Sequence, residues 1–228
     1  MVAGKAGLVS NAKDVILSRA RHALRDVPND EKPEDVSVGR GYRTRDESSR
    51  QEIVDRFAEY VAEYKATVHR VSEDDLPEAV REALERRGVK SLVVPPDLPE
   101  GWVPDDVELS KESSEERLGN DELDGSEGVL TGCALGIAQT GTIVLDAGAA
   151  QGRRALTLLP DYHLCVVKEE QIVGLMPEAI EELGEAVKGA GRAVTFISGP
   201  SATSDIELNR VEGVHGPRTL EVLIVSAS

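Results

Sequence analysis

Three short loops of this 228-residue chain carry side chains suited to holding an anion. The first, Gln139-Thr140-Gly141-Thr142, sets two hydroxyls around a glycine at the start of an apolar run. Hydroxyls donate to phosphate or carboxylate oxygens, and a glycine lets backbone come close. The second, Ser198-Gly199-Pro200-Ser201-Ala202-Thr203-Ser204-Asp205, follows another apolar run. Its hydroxyls suit the cap of a short helix over Asp205 to Leu208, whose amino end would attract negative charge. The third is Gly213-Val214-His215-Gly216-Pro217-Arg218. A histidine between glycines is poor core filling, so His215 reads as a weak general-base candidate or as an anion-binding partner of Arg218. Each loop also has a plainer reading, as a turn closed by its own hydrogen bonds. Gln139, Thr140, Gly141, Thr142, Ser201, Thr203, His215 and Arg218 form the candidate ligand set.

Other chemistries are poorly supplied. His22, His69, His163 and His215 show no metal-ligand spacing, and Cys133 and Cys165 are too few for a zinc or iron–sulfur site. His163, at the head of a hydrophobic run, reads as a satisfied structural histidine. There is no GxGxxG and no Walker sequence, so a nucleotide cofactor is unsupported. The expectation is a colourless protein with no cofactor and no metal.

The three loops need a scaffold, and its signals run through the chain. Gly128, Gly132, Gly136, Gly141, Gly148 and Gly152 crowd one stretch, flanked by the uncharged runs Thr142 to Leu145 and His163 to Val167. Such runs predict buried strands of a parallel sheet, whose carboxyl-end loops bind ligands in open α/β folds. Further strands are predicted at Ala66 to Val71, Ser91 to Val94, Ala193 to Ile197 and Leu220 to Val225. Helices are predicted over Asn11 to Leu24 and over Asp46 to Tyr64, the second with Ile53, Phe57, Val61 and Tyr64 on one face. Two more are predicted over Pro77 to Arg87, closed by Gly88, and over Pro177 to Val187, with Ile180, Leu183 and Val187 facing inward. Asp97 to Asp124 reads as surface connection with one weak helix. The expected division is an N-terminal helix and charged arm over 1–45, free to pack on a second copy or a partner, and an α/β domain over 46–228.

Composition narrows the partners. The formal charge is −16, with 29 acidic to 19 basic residues up to Ser126 and 13 to 7 after it. Neither half is basic, which disfavours nucleic acid and anionic membrane. Aromatic residues make up 3% of the chain, so the core must be aliphatic. No run approaches a membrane span, no secretion signal stands out at Met1 to Asn29, and two cysteines without a disulfide framework suit a cytoplasmic protein.

Four segments, GIAQTGTIVLDA, ALTLLPDYHLCVV, TFISGPSATSDIE and GVHGPRTLEVLIV, resemble in order and spacing the LUD-domain family, in its lactate-utilisation protein C branch. The resemblance covers roughly Glu47 to Val225. It implies a Rossmann-like, mostly parallel sheet flanked by helices, akin to the sugar-phosphate isomerase, CoA-transferase and formyltetrahydrofolate cyclo-ligase group. It also implies work in oxidising L-lactate to pyruvate beside iron–sulfur partner subunits. On that footing the chain is an accessory, non-redox subunit that binds a small carboxylate or phosphate-type ligand, and a homo-oligomer is one possible state. The alternative is a stand-alone enzyme acting on a phosphorylated or CoA-linked small molecule. Gln139 stands where the family pattern has glutamate, and an amide is neither base nor nucleophile.

Overall fold

The computed structural model describes residues 12–28, 30–35, 37–39, 41–113, 117–200, 202–204, 210–212 and 215–226. Its backbone divides into two compact units, 1–42 and 43–228. In the first, α1 (Ala12–Ala23) is followed by irregular chain with a single 3₁₀ turn at Pro33–Asp35. No residue of α1 is buried.

The second unit begins with α2 (Arg50–Glu63), started by Ser49 and Glu52, which exchange side-chain-to-backbone hydrogen bonds as a capping box. Ile53, Val54, Phe57 and Val61 are buried along one stripe, whereas Tyr64 is exposed at the helix end. Then follow β1 (Thr67–Ser72), α3 (Leu76–Arg87), β2 (Ser91–Val94), β3 (Glu108–Lys111) and α4 (Asn120–Asp124). Gly88 ends α3 at φ 68°, a left-handed cap that costs a residue without Cβ nothing. The glycine-rich centre supplies β4 (Val129–Thr131), β5 (Leu135–Ile137) and β6 (Thr142–Leu145). The rest comprises β7 (Tyr162–Lys168), β8 (Ile172–Val173), α5 (Met176–Lys188), β9 (Thr195–Ile197), β10 (Ala202–Ser204), β11 (Arg210–Glu212) and β12 (Thr219–Ser226).

Six strands form a parallel sheet in the order β1-β12-β7-β4-β2-β3, flanked by helices, which is the α/β fold expected. A second sheet, β8-β5-β6-β9, shares no strand pairing with it, and β10 and β11 make a two-stranded antiparallel ribbon. Thr142 to Leu145 therefore belongs to the smaller sheet, antiparallel to β5 and β9, and not to the parallel one. Its lack of charge has another cause. Ile143 and Leu145 enter the core shared with α2 and β7, while Val144 packs against Ala179 and Leu183 of α5. Being covered on both faces, the strand carries no polar alternation.

The parallel sheet is covered on both faces too. Cys165, Val167, Val222 and Ile224 meet Phe57 and Val61 of α2 on one side, and Leu164, Val166 and Leu223 meet Val80 and Leu84 of α3 on the other. Beyond Tyr64 and β6, two expectations needed correction. The connection after β2 contains β3, whose four residues are all exposed. In α5, Ala179, Leu183 and Ala186 are buried, while Ile180 and Val187 face outward at 56% and 47% exposure.

Candidate functional site

The hairpin from β5 to β6 holds Gln139-Thr140-Gly141-Thr142. Gly141 has φ 56°, and a Cβ there would stand 2.5 Å from the Tyr60 carbonyl carbon. Its bare backbone thus accommodates α2. The Thr142 hydroxyl, nearly buried, lies 2.7 Å from the Thr140 hydroxyl and 2.8 Å from that of Ser198. Because β9 runs antiparallel to β6, the chain leaving β9 passes the start of β6, and that pairing brings Ser198 to Thr142. The exposed Gln139 accepts the Met176 N–H at 3.4 Å through Oε1, and with Thr140 it borders a depression shared with Tyr60, Glu63 and Tyr64.

A different crevice, of about 280 Å³, lies where the loop after β9 meets the segment preceding β12. The end of β9 and the loop after it, Phe196 to Pro200, line one wall, His215, Gly216 and Pro217 another, and Arg154 and Thr157 complete it. Arg154 is the cation here. It donates to the Thr157 carbonyl at 2.8 Å, to the Thr157 hydroxyl at 2.9 Å and to the His215 carbonyl at 3.1 Å. These are neutral oxygens, and among the described residues no carboxylate pairs with it. Partial burial depresses its pKa, the desolvation cost that a negative partner would relieve. An arginine fork beside a hydroxyl and an imidazole is suited to a carboxylate or phosphate.

The predicted set is thus only partly convergent. His215 and the Ser198 loop share the crevice, and Thr142 supports it from below through Ser198. Gln139 and Thr140 border the other depression, and exposed Arg218 is paired with Asp161 at 2.5 Å. Ser201, the side chain of Thr203 and the helix expected over 205–208 lie outside the described residues. The crevice also stands at the amino ends of β7 and β12, because Arg154 and His215 precede those strands. The carboxyl ends of β1, β12 and β7 border a separate cleft with Arg50, Lys168, Glu73, Glu169 and Glu170. Three carboxylates against two cations make that cleft the poorer host for an anion.

Arg154 escaped the sequence reading. Its signal was a basic pair, Arg153-Arg154, between a glycine-rich loop and an apolar strand. Arg153 is neutralised by Glu112 at 2.8 Å, leaving Arg154 to the crevice.

The remaining buried polar groups serve the core. His163 is fully buried, with Nε2 2.8 Å from the Thr131 hydroxyl and Nδ1 without a hydrogen-bond partner. Cys133 and Cys165 are free and buried, and the neighbouring Cys165 together with burial pushes the Cys133 thiol up. Among the described residues no cluster of three metal-binding side chains occurs, and no helix is long and apolar enough to cross a membrane.

Comparison with known proteins gives the chain its relatives. The LUD domain family matches residues 54–225. Lactate utilization protein C of Deinococcus radiodurans is 46% identical over 78% of this chain and 81% of its own length. The protein of the same name from Halalkalibacterium halodurans is 28% identical over 80% of this chain and 83% of its own. A crystal structure of a DUF162 family protein from Deinococcus radiodurans superposes with a TM-score of 0.68 at 40% identity, covering 78% of this chain and 99% of that one. With most of its length matched in sequence and in fold, the chain belongs to the LUD-domain family.

Proposed function

We propose that this chain serves L-lactate utilisation as a non-redox subunit that binds a small carboxylate or phosphate in the crevice of Arg154, Ser198 and His215. The relatives named lactate utilization protein C support the process. The observation that carries the binding role is Arg154 itself, a partly buried guanidinium held by neutral oxygens. In this reading Arg154 supplies the charge, Ser198 and His215 add donors, and Thr142 positions Ser198. Iron–sulfur partner subunits in the cytoplasm carry the electrons. Among the described residues the crevice presents donors and one imidazole but no carboxylate, which favours binding over a stand-alone acid–base enzyme.

Calorimetric titration of the full chain with L-lactate, pyruvate, inorganic phosphate and CoA tests the site. One of these anions should bind, and Arg154→Gln should weaken it at least about tenfold, the effect of roughly 1.4 kcal/mol. Unchanged binding by Arg154→Gln, or no binding by the parent protein, overturns the assignment. Loss of growth on L-lactate after gene deletion, restored by the parent chain, tests the process separately.

A further inference from the structure

The outer side of α5 and the strand β9 form an apolar groove of about 610 Å³, lined by Ile180, Leu183, Val187, Val194 and Phe196. Ile180, Val187 and Phe196 are 56%, 47% and 46% exposed, and β9 is an edge strand of its sheet. Isolated exposed apolar residues need no explanation, but a contiguous patch on a helix and an edge strand marks a docking surface. Edge strands and apolar helix faces are places where a protein takes up another segment of chain.

The same chain carries an apolar stripe of matching size. Along α1 and the turn after it, Ile16, Ala20, Ala23, Leu24 and Val27 recur at the spacing of one helix face. Ile16 and Leu24 are 65% and 61% exposed, and nothing in α1 is buried. Its 12 residues make a rod of about 18 Å, and the 13 of α5 one of about 20 Å.

Charge completes the match. Residues 12–26 carry Lys13, Arg19, Arg21 and Arg25 against Asp14 and Asp26, a basic excess in a chain of net charge −16. The sequence of α5 holds Glu178, Glu181, Glu182 and Glu185 against Lys188; Glu181 is paired with Arg45 at 2.6 Å and Glu178 accepts the Leu175 N–H, and the helix still keeps an acidic excess. Two α5 faces would repel each other, whereas α1 brings the opposite sign.

We propose that α1 of one copy lies along the α5–β9 groove of a second copy, and that reciprocal exchange closes a twofold dimer. An isologous pairing of this kind buries both apolar surfaces and satisfies both charge patterns at once. The acidic bodies would otherwise repel, so the basic helices also provide the attraction that holds them together.

The test uses the full chain. Light scattering should give twice the 24.5 kDa chain mass for the parent protein. Ile16→Asp and, independently, Leu24→Asp should halve it while the far-ultraviolet circular dichroism of the native protein stays the same, because neither position is in the core of the α/β unit. Mixing two single variants, Ile16→Cys and Val187→Cys, with a short bis-maleimide should join one chain to the other. A parent protein of 24.5 kDa, an unaltered dimer in both aspartate variants, or a mixture of the two cysteine variants that yields no joined pair of chains overturns the proposal.

Discussion

The hydroxyls of Thr142 and Ser198 lie 2.8 Å apart, 56 residues apart in sequence, and tie the hairpin before β6 to the loop after β9. That bond makes the crevice wall depend on a residue that does not line it. Thr142→Val keeps the shape but leaves the hydroxyls of Thr140 and Ser198 without their shared partner. A loss of about 1–2 kcal/mol is expected in urea unfolding. Anion affinity should fall along with it, since Ser198 is no longer held. Thr140→Val, at the partly exposed end of the chain of hydroxyls, should cost less than about 1 kcal/mol.

Gly141→Ala should be far more damaging than either. Its φ of 56° disfavours any side chain, and the new methyl would press on backbone atoms of Tyr60 and Val61 that cannot swing away. Strain and displacement together place the cost on the order of 3 kcal/mol. Chemical denaturation reads this directly, and a loss under about 1 kcal/mol would show that α2 yields.

Glu221 makes stability depend on pH. Its side chain is 1% exposed, and burial alone would raise its pKa. Hydrogen bonds from Arg86, Arg87 and Tyr162 outweigh burial and hold it below the ordinary carboxylate value. A depressed folded-state pKa gives stabilisation that is complete above the unfolded value, about 4.5, and is lost as pH falls through the folded one. Glu221→Gln should therefore destabilise at neutral pH by roughly 2–3 kcal/mol and flatten the decline in melting temperature below pH 4.5. Equal slopes for the two proteins would assign the acid sensitivity elsewhere.

Cys133 and Cys165 should report global opening. Both are buried, Cys133 at 4% exposure and Cys165 at 0%. Ellman's reagent should find no reactive thiol in the native protein and two in denaturant. Fast reaction of either thiol without denaturant would mean that the seam between the two sheets opens locally.

Uncharged runs and helix caps made much of the α/β unit legible. Ser91 to Val94 is read at its exact bounds, and Gly88 marks the end of α3 where its left-handed φ requires glycine. Strand direction was not legible at Thr142 to Leu145, because a strand buried on both faces has one signature in either sheet. Strand β3 was illegible for the opposite reason. Glu-Leu-Ser-Lys has no buried side chain, and it is a strand through its pairing with β2. In α5 the sequence offers two apolar stripes, and contact with β5 and β6 selects Ala179 and Leu183 over Ile180 and Val187. The crevice was half legible. His215 and the Ser198 loop announced themselves by their glycines, whereas Arg154 stands one residue before the motif that carried the family resemblance.

The aromatic poverty of the chain leaves one indole, and its position gives it a use. Trp102 packs against the carboxyl end of β4, where a Cβ added to Gly132 would meet its ring at 3.3 Å and the Cβ of Ala150 at 3.4 Å. Ala150 and Ala147 hold φ of 58° and 55°, left-handed values seldom kept by residues that have a Cβ. The protein's tryptophan emission therefore comes with its own built-in address. Excited apart from the four tyrosines, this one indole reads the packing around Gly132, which Ala150 also crowds, with no second tryptophan to dilute the signal.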